Sequence, residues 1–326
     1  MLSLNKSEKD SKLSNLSRFQ LESFFLGLLE SDGSIQVNHW NKRYLQYRII
    51  IKLKNNDENF RMLSYIQREL KIGNVKIKNS GFVLLVEDHK EKIPFIMEII
   101  EKHGLILTKK RIRYAFFQYC FQNNVSYSEY EYLRNYKEAW EVAAYIPFTK
   151  FKPDMQVSAF LSQIGAPHPL LETFKKIRPY TPKRIQKFPH FKHWLSGAIE
   201  SEGCFSFRQS GTYSFSIGQK FEHPFIMAIK QYFALPNLVR EPTPHFFSIE
   251  TYNLRSVKEI LEFCIPGTLN PLHNGKHKRV DSYGLLGYKE TQRRKFEKQL
   301  LSSKSAPLLD SNTKDDSGGA EEAFKN

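Results

Sequence analysis

The chain has 326 residues, 40% of them hydrophobic and 14% aromatic, which is enough for two domains with substantial cores. Its formal net charge of +15 favours a polyanionic partner, a nucleic acid or an anionic membrane surface, over a basic surface that is merely solvated. No apolar run approaches the roughly 20 residues of a membrane span, and we expect no signal peptide at the polar residues 1–17. The three scattered cysteines fit neither a disulfide framework nor a zinc site and favour a reducing compartment.

The first half of the chain predicts a helix, two strands, a helix, two short strands and a closing helix. A largely apolar helical segment over 24–32 stops at Gly33, a residue type that commonly ends helices. Polar and apolar residues alternate over 34–40, where Ile35 and Val37 share a face, and again over 46–54, as in half-buried strands. A helix over 60–70, short strands over 74–78 and 82–86, and a helix over 92–102 complete the set.

A structured linker follows, rather than a third domain. It contains a helix over 127–144 and loops over 165–167 and 179–189. We divide the chain into an N-terminal arm (1–14), a first domain (15–121), the linker (122–187), a second domain (188–301) and a tail (302–326). The tail is rich in Ser, Asp, Lys and Gly and poor in large apolar residues, so we expect it to be disordered.

The second half repeats the plan of the first, and one segment recurs almost residue for residue. FFLGLLESDGSI at 24–35 returns as WLSGAIESEGCF at 194–205, with the shared frame Gly-x-x-Glu-Ser-acid-Gly. Strands over 204–208 and 213–217, a helix over 225–233, strands over 238–240 and 245–251, and a helix over 254–263 then match the first half in order.

The acids at the ends of the two repeated helices are unusual. The C-terminal end of a helix carries partial negative charge, so two acids in the last turn require a positive partner, and a divalent metal is the simplest one. Small residues four apart, Gly27 with Ser31 and Gly197 with Ser201, let two helices approach closely. That packing would set Asp32 beside Glu202, and neighbouring carboxylates that share a metal suit attack on a phosphodiester.

Solvated acids at helix ends are the simpler interpretation of one such segment taken alone. The occurrence of the whole frame twice, each time before a matching pair of strands, favours a functional pair. The two segments resemble the signature motifs of LAGLIDADG homing endonucleases in the single-chain form with two pseudo-symmetric domains. The resemblance covers about residues 15–120 and 188–295.

The resemblance implies an α+β fold and a metal site. Each half would be an αββαββα domain, and the two antiparallel sheets would form a saddle on DNA. The last acid of each motif, Asp32 and Glu202, would bind Mg²⁺ or Mn²⁺, helped by the main-chain carbonyls of Ser31 and Ser201. Ca²⁺ would be a non-catalytic substitute, and the earlier acids, Glu30 and Glu200, would be structural.

Further catalytic candidates come from the basic and polar residues that the family uses around its metals. Lys110 and Lys276 are assigned to this role, with phosphate contact or plain solubility as the alternatives. Gln219, after the second strand of the second half, is a candidate for ordering a water molecule. Its match in the first half is Asn55, so strict symmetry fails.

The polar faces of the predicted strands are candidates for reading DNA. Arg, Lys, Gln and Asn side chains hydrogen-bond base edges in the major groove, although any antiparallel sheet with one solvated face alternates in the same way. Phosphate contacts by the remaining basic residues would make binding strongly salt-dependent. The candidates are Ser34, Gln36, Asn38, Trp40, Arg48, Lys52, Lys54, Lys76 and Lys78 in the first half, and Ser206, Arg208, Ser214, Ser216, Arg240, Ser248 and Glu250 in the second.

Three functions fit these observations. The first is a homing endonuclease that makes a metal-dependent double-strand break in a long DNA target and promotes intron mobility. The second is a maturase that binds group I intron RNA, and the third is a DNA-binding protein that has lost catalysis. Intact acids in both motifs favour the first over the third. We expect a monomer with no membrane association, and a mitochondrial or plastid location by analogy with organelle-encoded relatives.

Overall fold

The structure is a computed structural model that describes residues 17–145, 168–207 and 213–264. The predicted N-terminal arm, the loop over 165–167, Arg208, Lys276 and the predicted tail lie outside these ranges. None of the described helices is both long enough and apolar enough to cross a membrane.

The first half forms the predicted helix–strand–strand–helix–strand–strand–helix unit. Ser17 starts the first helix with a capping box, its hydroxyl accepting from the Gln20 N–H while the Gln20 side chain accepts from the Ser17 N–H. The four strands make one antiparallel sheet in the order β1-β2-β4-β3. The elements are α1 (Arg18–Ser31), β1 (Ser34–Trp40), β2 (Tyr44–Lys54), α2 (Asp57–Leu70), β3 (Asn74–Lys78), β4 (Phe82–Glu87) and α3 (Ile93–His103).

Four helices are described between the halves: α4 (Thr108–Asn123), α5 (Tyr127–Ala143), α6 (Pro169–Lys176) and α7 (Pro182–Gln186). The sequence predicted only α5. Buried residues lie all around α4, so it lacks the one-sided apolar stripe by which a surface helix is recognised. The loop predicted over 179–189 contains α7, because Thr181 caps a helix that Pro182 can begin.

The linker helices pack onto the first half. Helix α4 contacts β1, α5 and α6. The Tyr47 hydroxyl on β2 donates to the Cys120 carbonyl on α4 at 2.7 Å, and the Tyr130 hydroxyl on α5 donates to the Val37 carbonyl on β1 at 3.0 Å. The predicted boundary at residue 121 therefore falls inside α4, which is continuous with the packing of the first half.

The second half repeats the architecture of the first, as predicted. Its sheet has the order β5-β6-β8-β7 and is antiparallel throughout. The elements are α8 (Phe191–Glu202), β5 (Cys204–Phe207), β6 (Tyr213–Lys220), α9 (His223–Tyr232), β7 (Arg240–Thr243), β8 (Phe246–Thr251) and α10 (Leu254–Cys264). The mixed α+β fold with two four-stranded antiparallel sheets is confirmed.

The repeated helices α1 and α8 pack against each other with their backbones in contact. A Cβ atom added to Gly27 would lie 2.0 Å from the Trp194 carbonyl oxygen, and one added to Gly197 would lie 2.2 Å from the Phe24 carbonyl oxygen. Only hydrogen fits at these two positions, so the predicted close approach of the two helices is present. Every residue of α1 from Leu21 onward is buried, because the helix lies between the two halves.

We predict that Gly27→Ala lowers the free energy of unfolding by about 3 kcal/mol, the upper end of overpacking costs. Replacing glycine by alanine inside a helix ordinarily stabilises it by about 1 kcal/mol, so the expected change has the opposite sign from the usual one. Urea denaturation would measure it. In the control Gly81→Ala the new Cβ meets no neighbour, and only the left-handed backbone (φ +78°) opposes it, at about 1–2 kcal/mol. A Gly27→Ala protein as stable as the unsubstituted one would contradict the backbone contact.

Candidate active site

The ends of α1 and α8 place one acid from each half at the same location. Asp32 caps the C-terminus of α1, and Glu202 is the last residue of α8. Asp32 is exposed and Glu202 is half-buried. Because the two helices are in contact one and a half turns earlier, at their glycines, their C-terminal ends lie side by side.

Lys110 lies at this pair of acids. It is in the first turn of α4, is only 8% exposed, and donates from Nζ to the carbonyl oxygen of Gly33. Burial, together with the charge of Arg113, lowers the pKa of Lys110 to about 8, against the opposing effect of the negative charges of Glu30, Asp32 and Glu202. The lysine therefore feels both motif acids. The predicted counterpart, Lys276, lies outside the described residues.

Glu30 joins the two motif helices to the start of α4. Its buried carboxylate accepts from the Ile106 N–H at 2.8 Å, the Leu107 N–H at 2.6 Å and the Trp194 indole N–H at 2.7 Å. Burial raises the pKa of Glu30 to about 7, and these three donors hold it from rising further. Trp194 is on α8, so Glu30 binds both halves, and this arrangement fits the structural role expected of it.

Glu222, which the sequence did not single out, reaches the same helix from the second half. It lies just before α9 and is buried. It accepts from the Lys109 N–H at 3.2 Å, the Thr108 hydroxyl at 3.4 Å and the Tyr145 hydroxyl at 2.5 Å. Burial raises the pKa of Glu222, while the hydroxyl and N–H donors lower it. A glutamate before a His-Pro helix start is an ordinary sequence feature, and no local pattern links it to α4.

Sheet register changes the match proposed for Gln219. Ser34 pairs with Ile50, and the equivalent Cys204 pairs with Ser216. Three positions further along each strand, Gln219 corresponds to Leu53 and not to Asn55. The Asn55 match was wrong because it was made without the strand pairing: Asn55 follows the last residue of β2, whereas Gln219 lies within β6. Gln219 lies on the same side of β6 as the buried Phe215 and Ile217, and it is half-buried near the end of that strand.

The first sheet presents the predicted polar side chains on one face. Gln36 is opposite Arg48, and Lys52 and Lys76 flank Leu84. The sequence did not anticipate that apolar residues share this face: Ile50, Phe82, Leu84 and Val86 lie on it. Lys52 Nζ lies 3.8 Å from the centre of the Phe82 ring. The exposed candidates are Asn38, Trp40, Lys52, Lys54, Lys76 and Lys78, and the half-buried ones are Ser34, Gln36 and Arg48.

The second sheet carries mostly hydroxyl groups on the corresponding face. Ser206 and Arg240 are exposed, and Ser216, Ser248 and Glu250 are half-buried. The expectation of an exposed Ser214 was wrong. It pairs with the exposed Ser206 on this face, but only 3% of Ser214 is exposed, so neighbouring atoms cover its hydroxyl group. Arg208 lies outside the described residues.

Comparison with known proteins shows which family and which relatives the chain resembles. A family model described as "LAGLIDADG endonuclease" matches residues 25–121. The "Probable intron-encoded endonuclease aI3" of Dictyostelium citrinum is 29% identical over 267 residues, which cover 81% of this chain and 93% of that protein. The first half of the chain therefore matches the LAGLIDADG endonuclease family, and most of the chain is similar to proteins described as probable intron-encoded endonucleases.

Other similar proteins match over most of the chain. A protein of the same description from Debaryomyces hansenii is 30% identical over 289 residues, or 85% of this chain, which spans 37% of that relative's length. The crystal structure of meganuclease I-SmaMI bound to uncleaveable DNA has the same fold. Its TM-score is 0.54, its identity is 14%, and the match covers 86% of this chain and 96% of that one.

We predict that Glu222→Gln lowers the free energy of unfolding by about 1–3 kcal/mol. The amide replaces one acceptor oxygen by a donor, which then faces the Lys109 N–H or the hydroxyl groups. Urea denaturation would measure the loss, with Glu98→Gln on the exposed face of α3 as the control, expected within about 0.5 kcal/mol of the unsubstituted chain. Equal stability of the two variants would show that Glu222 does not hold α4.

Proposed function

We propose that this LAGLIDADG protein is a site-specific homing endonuclease that makes a metal-dependent double-strand break in a long DNA target and promotes intron mobility. The observation that carries the proposal is the meeting of Asp32 and Glu202, one from each half, beside the buried Lys110. Relatives described as probable intron-encoded endonucleases support the link to an intron. Acids present at both motif ends favour catalysis over a protein that only binds DNA.

The donor set fits a magnesium ion bound together with DNA. Among the described residues no cluster of three or more His, Cys, Asp or Glu side chains could form a closed cage. Mg²⁺ commonly takes one or two carboxylates and completes its shell with water and substrate phosphates. Asp32 and Glu202, with the carbonyls of Ser31 and Ser201, would hold Mg²⁺ or Mn²⁺, which when bound would stabilise negative charge on the reacting phosphate.

Lys110 would supply a second positive charge that the protein holds in place. Its bond to the Gly33 carbonyl fixes the side chain next to both acids, and its burial strengthens its interaction with a nearby phosphate because little water screens it. Gln219 would order water, and Lys276 would be the second lysine. These assignments describe positioning and charge, which are the main requirements of phosphoryl transfer.

The two sheets would read the target. Cationic and amide side chains on the first sheet and hydroxyl groups on the second are suited to base edges and phosphates. A single chain with both halves would act as a monomer. By analogy with organellar introns it would work in a mitochondrion or plastid.

We expect Asp32→Asn and Glu202→Gln each to abolish double-strand cleavage of the intron-free host locus in Mg²⁺. Each change removes a negative ligand without changing side-chain size, so DNA binding measured in Ca²⁺ is expected to persist. Ca²⁺ is expected to occupy the site without cleavage, as I-SmaMI has been crystallised on uncleaved DNA in the presence of calcium ions. Cleavage that continues in either variant, or without divalent metal, would refute the proposed site. Binding of intron RNA without any DNA cleavage would favour the maturase.

We expect Lys110→Met to lower the cleavage rate by about 100-fold or more, as the loss of one preorganised charge typically does. Methionine keeps the apolar stem, so the fold is retained. The matched control is Lys109→Met on the same turn, because the Lys109 side chain is half-exposed and pairs with Glu141 at 3.3 Å. Single-turnover cleavage in Mg²⁺ would compare the two, and equal rates would remove Lys110 from the catalytic site.

A further inference from the structure

A polar pocket of about 280 Å³ lies between the first turns of α4 and the segment that joins α6 to α7. Arg111, Lys176, Arg178 and Arg184 supply four positive charges to its lining, together with Tyr180 and Thr181. No carboxylate is among the described residues that line it. Within the described part of the chain, Arg111, Lys176 and Arg184 form no ion pair with an acidic residue.

Two of these cations, Arg111 and Arg184, are held in place and do not simply extend into solvent. The Arg111 guanidinium lies 3.9 Å from the centre of the Tyr180 ring, and the Arg184 guanidinium lies 4.3 Å from it. Arg111 also donates from Nη1 to the Arg178 carbonyl at 2.8 Å. Like charges gathered this closely repel one another, so the arrangement is most favourable when an anion lies among them.

The chemistry of the lining favours a phosphate. Guanidinium groups present planar pairs of donors that match phosphate oxygens, and arginine is more weakly hydrated than lysine. The volume is at the lower limit of ordinary ligand pockets, which begin at about 300 Å³, so it admits one phosphodiester with part of its sugar.

We propose that this pocket binds one backbone phosphate of the DNA target outside the segment that lies on the two sheets. The proposal rests on the proposed function as an endonuclease. Arg111 follows Lys110 directly on α4. Adjacent Cα atoms are about 3.8 Å apart, so two extended side chains bring the two sites within roughly 20 Å, about six base pairs along a duplex. One duplex could therefore occupy both sites, and the pocket would align the DNA with the helix that carries Lys110.

The double variant Arg178→Gln/Arg184→Gln tests the pocket, because neither side chain lies on α4. Its affinity for an arbitrary duplex of about 30 base pairs would be measured in Ca²⁺ by fluorescence anisotropy over a series of salt concentrations. Loss of one phosphate contact lowers the slope of log affinity against log salt by about 0.9. For the double variant we expect a slope smaller by about 0.9 and a DNA affinity at least about fivefold weaker than that of the unsubstituted chain. The matched control, Lys71→Gln/Lys258→Gln, removes two exposed charges elsewhere and is expected to retain the slope.

Two further arms identify the ligand. Arg178→Lys/Arg184→Lys keeps both charges, and its salt slope is expected to lie between those of the glutamine variant and the unsubstituted chain. This result would show that the glutamine variant lost a phosphate contact and did not simply misfold. Equal losses in the pocket and control pairs would overturn the proposal. So would a larger loss for RNA of the same sequence than for DNA. A pocket-dependent rise in Tm with inorganic phosphate, without any effect on DNA binding, would overturn it as well.

The outcomes separate this proposal from the endonuclease proposal. If the pocket variant has a smaller salt slope than the unsubstituted chain but the unsubstituted chain never cuts DNA, the phosphate site is supported and the endonuclease proposal is refuted. If the chain cuts DNA while the pocket variant keeps the full slope and affinity, the pocket fails alone.

Discussion

The contact between the backbones of α1 and α8 is the constraint on which the rest of the structure depends. At Gly27 and Gly197 the two helices are too close for any side chain larger than hydrogen. Asp32 and Glu202 follow these glycines by about one and a half turns, so fixing the crossing point fixes the separation of the acids. A looser crossing would leave each acid at the end of its own helix, where the helix dipole disfavours it.

The start of α4 shows the opposite use of buried acids. The N-terminal end of a helix carries partial positive charge and N–H groups without helical partners, and Glu30 and Glu222 accept from those groups. One of these acids comes from each half. Lys110 lies in the turn that they hold, so its position beside Asp32 depends on correct packing of both halves. Acidic residues thus stabilise the N-terminal end of α4, whereas those at the C-terminal ends of α1 and α8 are available for chemistry.

How much the sequence could predict follows from the range of each interaction. The repeated motif and the period-2 alternation predicted the paired sheets and the flanking helices, because these patterns are local. Helix α4 was not predicted, because its buried positions are distributed around the helix and form no one-sided apolar stripe. The role of Glu222 was not predicted, because its partner Thr108 is 114 positions away and Lys109 contributes only a main-chain group. Matching Gln219 to Leu53 required strand register, which two hairpins of unequal length conceal.

The two halves share a fold but present different surfaces, and this difference bears on the kind of target they can read. Lys52, Lys54, Lys76 and Lys78 make the first sheet cationic, whereas Ser206, Ser216 and Ser248 make the second sheet rich in hydroxyl groups. Two identical subunits would require a symmetric site, because each half-site would meet the same side chains. A single chain does not need a symmetric site, because its two halves have different side chains. In the proposed endonuclease, the two acids would keep the pseudo-symmetry that cleavage of two strands needs, while the two sheets would be able to diverge and specify an asymmetric sequence.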